Sequence, residues 1–201
     1  MELQTNQVTL RGTLLSQPRF SHENHGKQFF RFTLEVPRLS GTSDYLPIVA
    51  DGQLLRPWNP EPGCTLEIRG QIRSHNIRTE GVRHLLIFVF ASSVETGEGE
   101  PVNSVTLEGP LCREPVYRRT PLGREICDIM LAVPRAFRRA DYLPCILWGR
   151  TAQEGSRCRT RDVIRICGRL QSRNYTKLTD EGPQERTAYE ISALTADFPE
   201  M

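Results

Sequence analysis

The sequence predicts an all-β protein made of two tandem five-stranded OB-fold barrels, residues 1–97 and 98–201. Three observations predict it. The chain repeats itself at a constant offset, each copy reads as short strands punctuated by turn residues, and each copy has room for one helical insert between its third and fourth strands. A length of 201 residues is near that of two ordinary domains.

The repeat comes first. Asn6-Gln-Val8-Thr9-Leu10-Arg-Gly12-Thr-Leu14 recurs as Asn103-Ser-Val105-Thr106-Leu107-Glu-Gly109-Pro-Leu111, an offset of 97. Pro18, Gly26 and the run Leu34, Val36, Pro37, Arg38 recur as Pro115, Gly123 and Leu131, Val133, Pro134, Arg135. Asp44-Tyr45-Leu46-Pro47 recurs as Asp141-Tyr142-Leu143-Pro144, which makes 16 identities over the 44 positions 6–49 without a gap. After a one-residue slip, Ile68 to Ser74 match Ile166 to Ser172. The copies meet at Glu95-Thr-Gly-Glu-Gly-Glu-Pro101, a short polar linker.

Within the second copy, Val105, Leu107, Gly109 and Leu111 alternate with polar residues, as in a half-buried strand. Further strands are expected over 125–133, 142–149, 162–173 and 186–196, with a short helix over 150–156. Pro115, Pro121-Leu-Gly123, Pro134 and Asp180-Glu-Gly182 supply the turns. Five strands and one helical insert describe an OB barrel, with a small sandwich as the alternative. In the first copy, Leu85-Leu86-Ile87-Phe88-Val89-Phe90 reads as a strand buried on both faces.

Composition narrows the function. A hydrophobic fraction of 38% supports a packed core, and there is no apolar run of about 18 residues to span a membrane. Met1-Glu2-Leu3-Gln4-Thr5 has no leader character, so a cytoplasmic protein is expected. Six cysteines show no C-x-x-C pair and no histidine at ligand spacing, which favours buried thiols over zinc or disulfides; no metal or cofactor is expected. There is no glycine-rich phosphate loop and no Ser/His/Asp set, and His22, His25, His75 and His84 fall in or beside polar turns, so an enzyme is not expected. Net charge is only +2, but residues 113–173 hold 14 arginines against 6 acidic side chains.

OB barrels hold unpaired strands on the face of their second and third strands, between the loops joining strands one to two and four to five. Bases stack on rings there while cations track phosphates. The second copy has these residue types in those places. Arg113, Arg118, Arg119 and Arg124 lie in or beside the first loop; Phe137, Arg138 and Arg139 lie between strands two and three; Tyr142 and Trp148 share one face of strand three; Arg173, Tyr175 and Lys177 open the last loop. Each also has a structural reading: Trp148 as core, Tyr142 as a strand-start hydrogen bonder, and the arginines as a solvated face.

These residues, with Asn103-x-Val105-x-Leu107-x-Gly109, Glu114-Pro115, Thr120-Pro-x-Gly123, Leu131-Ala132-Val133, Asp141-Tyr142-x-Pro144-Cys145-x-x-Trp148-Gly149-Arg150-x-Ala152 and Gly168-Arg169-Leu170-Gln171-x-Arg173-x-Tyr175, resemble the bacterial single-stranded DNA-binding protein family along the whole second copy. The resemblance implies single-stranded DNA as the partner, with bases stacked on Phe137, Tyr142, Trp148 and Tyr175, in replication, recombination or repair. It also implies four barrels per assembly, which a two-barrel chain reaches as a homodimer. The first copy keeps Tyr45 but has Ser40, Asp51 and Ile77 where the second has Phe137, Trp148 and Tyr175, so a weaker site through Tyr45, Arg38, Arg73 and Arg78, or a scaffold, is expected there. The family's acidic-tipped tail is not expected after Asp197-Phe-Pro-Glu-Met201. Two other functions remain open from sequence: single-stranded RNA binding, and a protein-bridging role like that of primosomal replication protein N, an OB protein related to this family.

Overall fold

The computed structural model describes residues 5–57, 59–79, 82–179 and 182–199. Met1–Gln4, most of the Asp180-Glu-Gly182 turn, and Glu200-Met201 lie outside the described residues. The described residues form an all-β protein of two tandem OB barrels. Strands β1 (Asn6–Leu14), β2 (Arg19–Asn24), β3 (Lys27–Pro37), β4 (Ser43–Asp51), β5 (Thr65–Thr79) and β6 (Val82–Thr96) build the first barrel, with helix α1 (Gly52–Leu55) after β4. Strands β7 (Val102–Pro110), β8 (Val116–Arg119), β9 (Glu125–Arg135), β10 (Arg139–Trp148), β11 (Val163–Thr179) and β12 (Gly182–Asp197) build the second, with α2 (Gly149–Gly155) after β10.

Each barrel therefore has one strand more than the sequence predicts. Both β2 and β8 are exposed along their whole length, so neither shows the apolar alternation by which a strand is read. They fold back on β3 and β9 through backbone pairing, with Phe20 set edge-on to Phe30 in the first barrel. The β2–β3 hairpin turns through His25 and Gly26, both at positive φ (49° and 72°), as a two-residue hairpin turn with this hand of twist requires.

Barrel closure follows the alternation of β1, whose Val8, Leu10 and Leu14 point into the core. Leu14 pairs with Leu34 on β3, and its counterpart Leu111 bridges to Leu131 on β9. The parallel pairs Ile48–Val89 and Cys145–Ile191 close the other side. At the β5 and β11 bulges, Gly70 and Gly168 let the neighbouring strand approach closely: a Cβ would lie 2.1 Å from the Phe90 carbonyl oxygen and 2.2 Å from that of Ser192. Beyond each bulge a side chain continues the ladder. The Asn6 amide donates to the Ile72 carbonyl (2.7 Å) and accepts from its N–H (2.8 Å), and Asn103 does the same with Leu170 (2.7 and 2.9 Å).

The two barrels share one sheet, of order β2-β3-β4-β6-β5-β1-β7-β11-β12-β10-β9-β8. The antiparallel β1–β7 pairing places Val8 opposite Val105, its own repeat equivalent, so an approximate two-fold axis passes between them. The Glu95–Pro101 joint is held in place: the Gly97 N–H donates to the Thr65 carbonyl (2.9 Å) and Arg11 Nη1 to the Glu100 carbonyl (3.2 Å).

Two fully buried carboxylates reinforce the axis. Asp141 accepts the Ser74 N–H at 2.7 Å and Arg73 Nη1 at 3.0 Å, both from the first barrel, with Arg135 at 3.4 Å. Asp44 reciprocates, accepting the Ser172 N–H at 2.8 Å from the second barrel and Arg38 Nε at 2.9 Å, with Arg169 at 3.6 Å. The next residues follow suit: the Tyr142 N–H donates to Ser74 Oγ (2.7 Å) and the Tyr45 N–H to Ser172 Oγ (2.9 Å).

Of the six cysteines, all are free; Cys127, Cys145 and Cys158 are buried, while Cys112 and Cys167 are exposed, contrary to a uniformly buried set. Burial pushes the Cys127 thiol up to about 11. No metal-holding cluster occurs among the described residues, and none of their helices is long and apolar enough to cross a membrane.

Removing one partner of a buried ion pair strands the others, at a cost of about 3–5 kcal/mol. Asp141→Ala is therefore expected to lower the urea unfolding free energy by that amount. A change below about 1 kcal/mol would show that the interface does not depend on it.

Candidate nucleic-acid interface

The outer face of the second barrel is laid down by β10. Its period of two sends Asp141, Leu143, Cys145 and Leu147 inward and presents Tyr142 and Trp148 outward. The two rings stand roughly 20 Å apart along the strand, at about 3.3 Å per residue. Between them on the neighbouring β9 lie Met130 and Asp128, opposite Pro144 and Ile146. The Trp148 indole N–H donates to Ser192 Oγ on β12 at 2.9 Å, which orients a ring still 37% exposed.

Phe137 occupies the short Ala136–Arg138 turn joining β9 to β10. It is 93% exposed, and both it and Arg138 adopt left-handed backbone (φ 59° and 55°). Such a conformation costs about 1–2 kcal/mol per non-glycine residue, and strain of this kind is found at ligand-holding segments.

The β11–β12 hairpin forms an arm. Arg173, Tyr175 and Lys177 take alternate positions on β11 and so share a face. The Arg173 guanidinium lies 5.8 Å from the Tyr175 ring centroid, a cation–π distance. Arg186, which the sequence reading passed over, faces Tyr175 directly across the hairpin. Its signal was the hairpin register, which requires the ends of the hairpin to be known.

The arginines divide into two groups. Arg118 and Arg119 on β8 are paired, with Asp128 (2.6 Å) and Glu125 (2.9 Å), and Arg173 lies 3.7 Å from Glu190 on β12. The Glu125 carboxyl is held below its usual range by the Tyr117 hydroxyl, then by Gln153 and Arg119. Glu190 is pushed the other way: burial raises its carboxyl, and Arg173 only partly offsets that. Arg113, Arg124, Arg138, Arg139 and Lys177 are exposed, and among the described residues no carboxylate pairs with them. Arg113 sits in the turn after β7, and Arg124 at the β8–β9 hairpin end, its N–H bonded to Thr120 Oγ1 (3.1 Å).

In the first barrel, Arg38 and Arg73 are engaged with the buried Asp44 and Asp141, so they serve the barrel junction. Arg78 is exposed on the β5 arm. Asp51, at the Trp148 position, caps α1 by accepting the Gln53 N–H (2.9 Å), the main reason its carboxyl is held low, and pairs with Lys27 (3.2 Å). Tyr45 projects outward, but its main chain is bonded to Ser172, immediately before Arg173. The two-fold relation thus carries Tyr45 to the arm of the second barrel and Tyr142 to the first.

The run Leu85–Phe90 is not buried on both faces. Ile87 and Val89 enter the core, Leu85 and Leu86 are exposed, and Phe88 and Phe90 are half-buried, because the outer face of this sheet carries no second layer. Together with Val49 and Pro47 they floor a groove of about 810 Å³ across the barrel junction. Arg31 and Arg73 of the first barrel and Arg135 and Arg139 of the second rim it, and among the described residues no carboxylate lines it. Behind Phe90, Phe29 packs at 5.7 Å and His22 stacks on Phe29 at 4.8 Å. The parallel pairs align Val89 with Ile191, so Phe88 and Phe90 stand where the second barrel has Glu190 and Ser192. Arg31 stands where the second barrel has Asp128. Sequence reasoning missed these rings because their counterparts are not aromatic; the alternation of Phe88 and Phe90 within the run was the available signal.

Residues 102–199 match the family model described as the single-strand binding protein family. Single-stranded DNA-binding protein B of Bacillus subtilis is 35% identical over 80 residues, covering 36% of this chain and 71% of that protein. The single-stranded DNA-binding protein of Oceanobacillus iheyensis is 32% identical over 103 residues, covering 48% of this chain and 60% of that protein. The chain thus spans between 60% and 71% of the length of these two relatives. The crystal structure of wild-type single-stranded DNA binding protein from Thermus aquaticus superposes with a TM-score of 0.79 at 25% identity, covering 98% of this chain and 93% of that one.

The exposures of the two rings imply different stability effects. Phe137→Ala is expected to leave unfolding free energy within about 0.5 kcal/mol. Trp148→Ala, losing packing and the Ser192 bond, is expected to cost more than about 1 kcal/mol. Equal effects in a thermal melt would contradict the placement of one ring on a bare turn and the other on an anchored strand.

Proposed function

The chain belongs to the single-strand binding protein family, and from that premise we propose that it binds single-stranded DNA without strong sequence preference and protects exposed strands in replication, recombination or repair. It acts as a cytoplasmic binding protein and not as an enzyme. The observation that carries this reading is that Phe137, Tyr142, Trp148 and Tyr175 all stay unburied, with the exposed Arg138 and Arg139 next to Phe137 in the chain. Large rings left facing water are unusual unless they meet a ligand, and every base has a π-face to offer them.

The strand path in this reading starts at Trp148, passes Tyr142 and the Phe137 turn, and reaches Arg139 and Arg135 at the rim of the junction groove. The arm of Arg173, Tyr175, Lys177 and Arg186, with Tyr45 beside it, makes a second flank. Phosphate contacts come from Arg138, Arg139 and the loop arginines Arg113, Arg118, Arg119 and Arg124. Residues 1–97 and 98–201 are the two OB units of this reading, the second holding the larger share of rings. A homodimer supplies four OB folds, and the exposed Leu85 and Leu86 beside the groove give it apolar surface to cover.

Fluorescence titration with oligo-dT, oligo-U and duplex DNA at two salt concentrations tests the reading. Oligo-dT is expected to bind far more tightly than duplex, with affinity falling as salt rises because phosphate contacts release counterions. Equal affinity for duplex would sink it, and tighter binding of oligo-U would move the function to RNA. Trp148→Ala and Tyr175→Ala are each expected to weaken oligo-dT binding by about 1–3 kcal/mol, and Tyr45→Ala by less. Light scattering at micromolar concentration is expected to return the mass of two chains; one chain with binding intact would refute the dimer.

A further inference from the structure

The face proposed to hold phosphates carries carboxylates of its own. Asp128 on β9 and Glu190 on β12 both flank the path between Tyr142 and Trp148: Asp128 lies opposite Ile146, and Glu190 lies two residues before Ser192, the anchor of the Trp148 indole. Each is in contact with an arginine. Arg118 approaches Asp128 through Nε at 2.6 Å and Nη2 at 3.4 Å, the two-pronged geometry by which a guanidinium also grips phosphate. Arg173 Nε lies 3.7 Å from Glu190 Oε1.

Nothing in the fold demands acids at these two places. The first barrel, built on the same strands, has Arg31 in the place of Asp128 and Phe88 in the place of Glu190, and among the described residues no carboxylate lines its groove. Nor does stability demand them: the Arg118–Asp128 pair is open to solvent, and such pairs contribute little, while Glu190 is half-buried against its own preference for water.

Resting on the single-strand reading above, we propose that Asp128 and Glu190 are built-in phosphate surrogates that occupy Arg118 and Arg173 in the strand-free protein and must give them up when a strand binds. A bound phosphate exchanges for a carboxylate that stays on the face, so part of the attraction is cancelled. The second barrel, the richer in rings, is thereby held below its maximal affinity, and its grip depends more on stacking than on charge. Duplex DNA, which offers phosphates but no free bases, gains least from such a face. The two acids therefore act as specificity determinants against double strands.

Asp128→Asn and Glu190→Gln keep shape and remove charge. Each is expected to tighten oligo-dT binding about threefold at low salt, the size of one unit charge removed at roughly 6 Å in water. The double variant should also steepen the logarithmic salt dependence by roughly 0.7 for each arginine released, and narrow the preference for oligo-dT over duplex. Glu108→Gln, which removes the same charge from the Arg165 pair on β7 and β11, is the control for net charge. Thermal melts accompany each variant, so that a loss of folding is not read as a loss of binding. If wild-type protein binds oligo-dT while both face variants, folded, bind no tighter than Glu108→Gln, this proposal fails alone. Wild-type protein with no preference for oligo-dT over duplex removes the single-strand reading and this proposal with it.

Discussion

The architecture depends on two buried carboxylates that neither barrel could satisfy unaided. Taking an ionised side chain out of water costs several kcal/mol unless hydrogen bonds replace its hydration. Asp44 and Asp141 obtain part of those bonds from the other barrel, through the Ser172 and Ser74 N–H groups and the Arg73 guanidinium, with Arg169 adding an ion pair to Asp44. A separated barrel would bury a carboxylate with only one arginine against it, or expose it together with the β1 or β7 edge. The β1–β7 ladder supplies the contact, and the carboxylates set its register, since a slip of one residue would move each serine N–H away from its acceptor.

That register has a functional consequence. The two-fold relation crosses the barrels over, so that Tyr45 stands at the base of the second barrel's arm and Tyr142 at the edge of the first barrel's groove. Two faces that look separate along the chain become one surface. They are not equivalent surfaces, however. The second presents strand and turn rings with carboxylates among the arginines, whereas the first presents Phe88 and Phe90 beneath a rim of Arg31 and Arg139, with Arg73 and Arg135 held by the buried Asp141. Duplication supplied two copies of one scaffold, and divergence changed the character of outward positions while inward ones stayed apolar, as at Phe32 and Ile129 or Ile48 and Cys145.

The pattern of success and failure in reading the chain has physical causes. Strands such as β1, β9 and β10 were legible because one face is buried, which imposes alternation. Strands β2 and β8 were invisible because they are solvated on both sides, so no buried face imposes alternation on them. Arg38 and Arg73 read as candidate phosphate contacts because a sequence shows charge but not the buried acid that claims it. The Leu85–Phe90 run read as doubly buried because composition alone cannot distinguish a covered face from a bare one.

The sequence by itself determined the duplication, the all-β OB class and the ring-and-arginine character of the second copy, since each of these is a local or repeating property of the chain. Tertiary structure alone decided which arginines are free, which rings share a surface and where acids sit among the cations. At the barrel junction those are matters of proximity between residues far apart in the chain, 68 positions for Arg73 and Asp141 and 128 for Asp44 and Ser172. Such distances are set by the packing of two barrels about an axis, which no local pattern encodes.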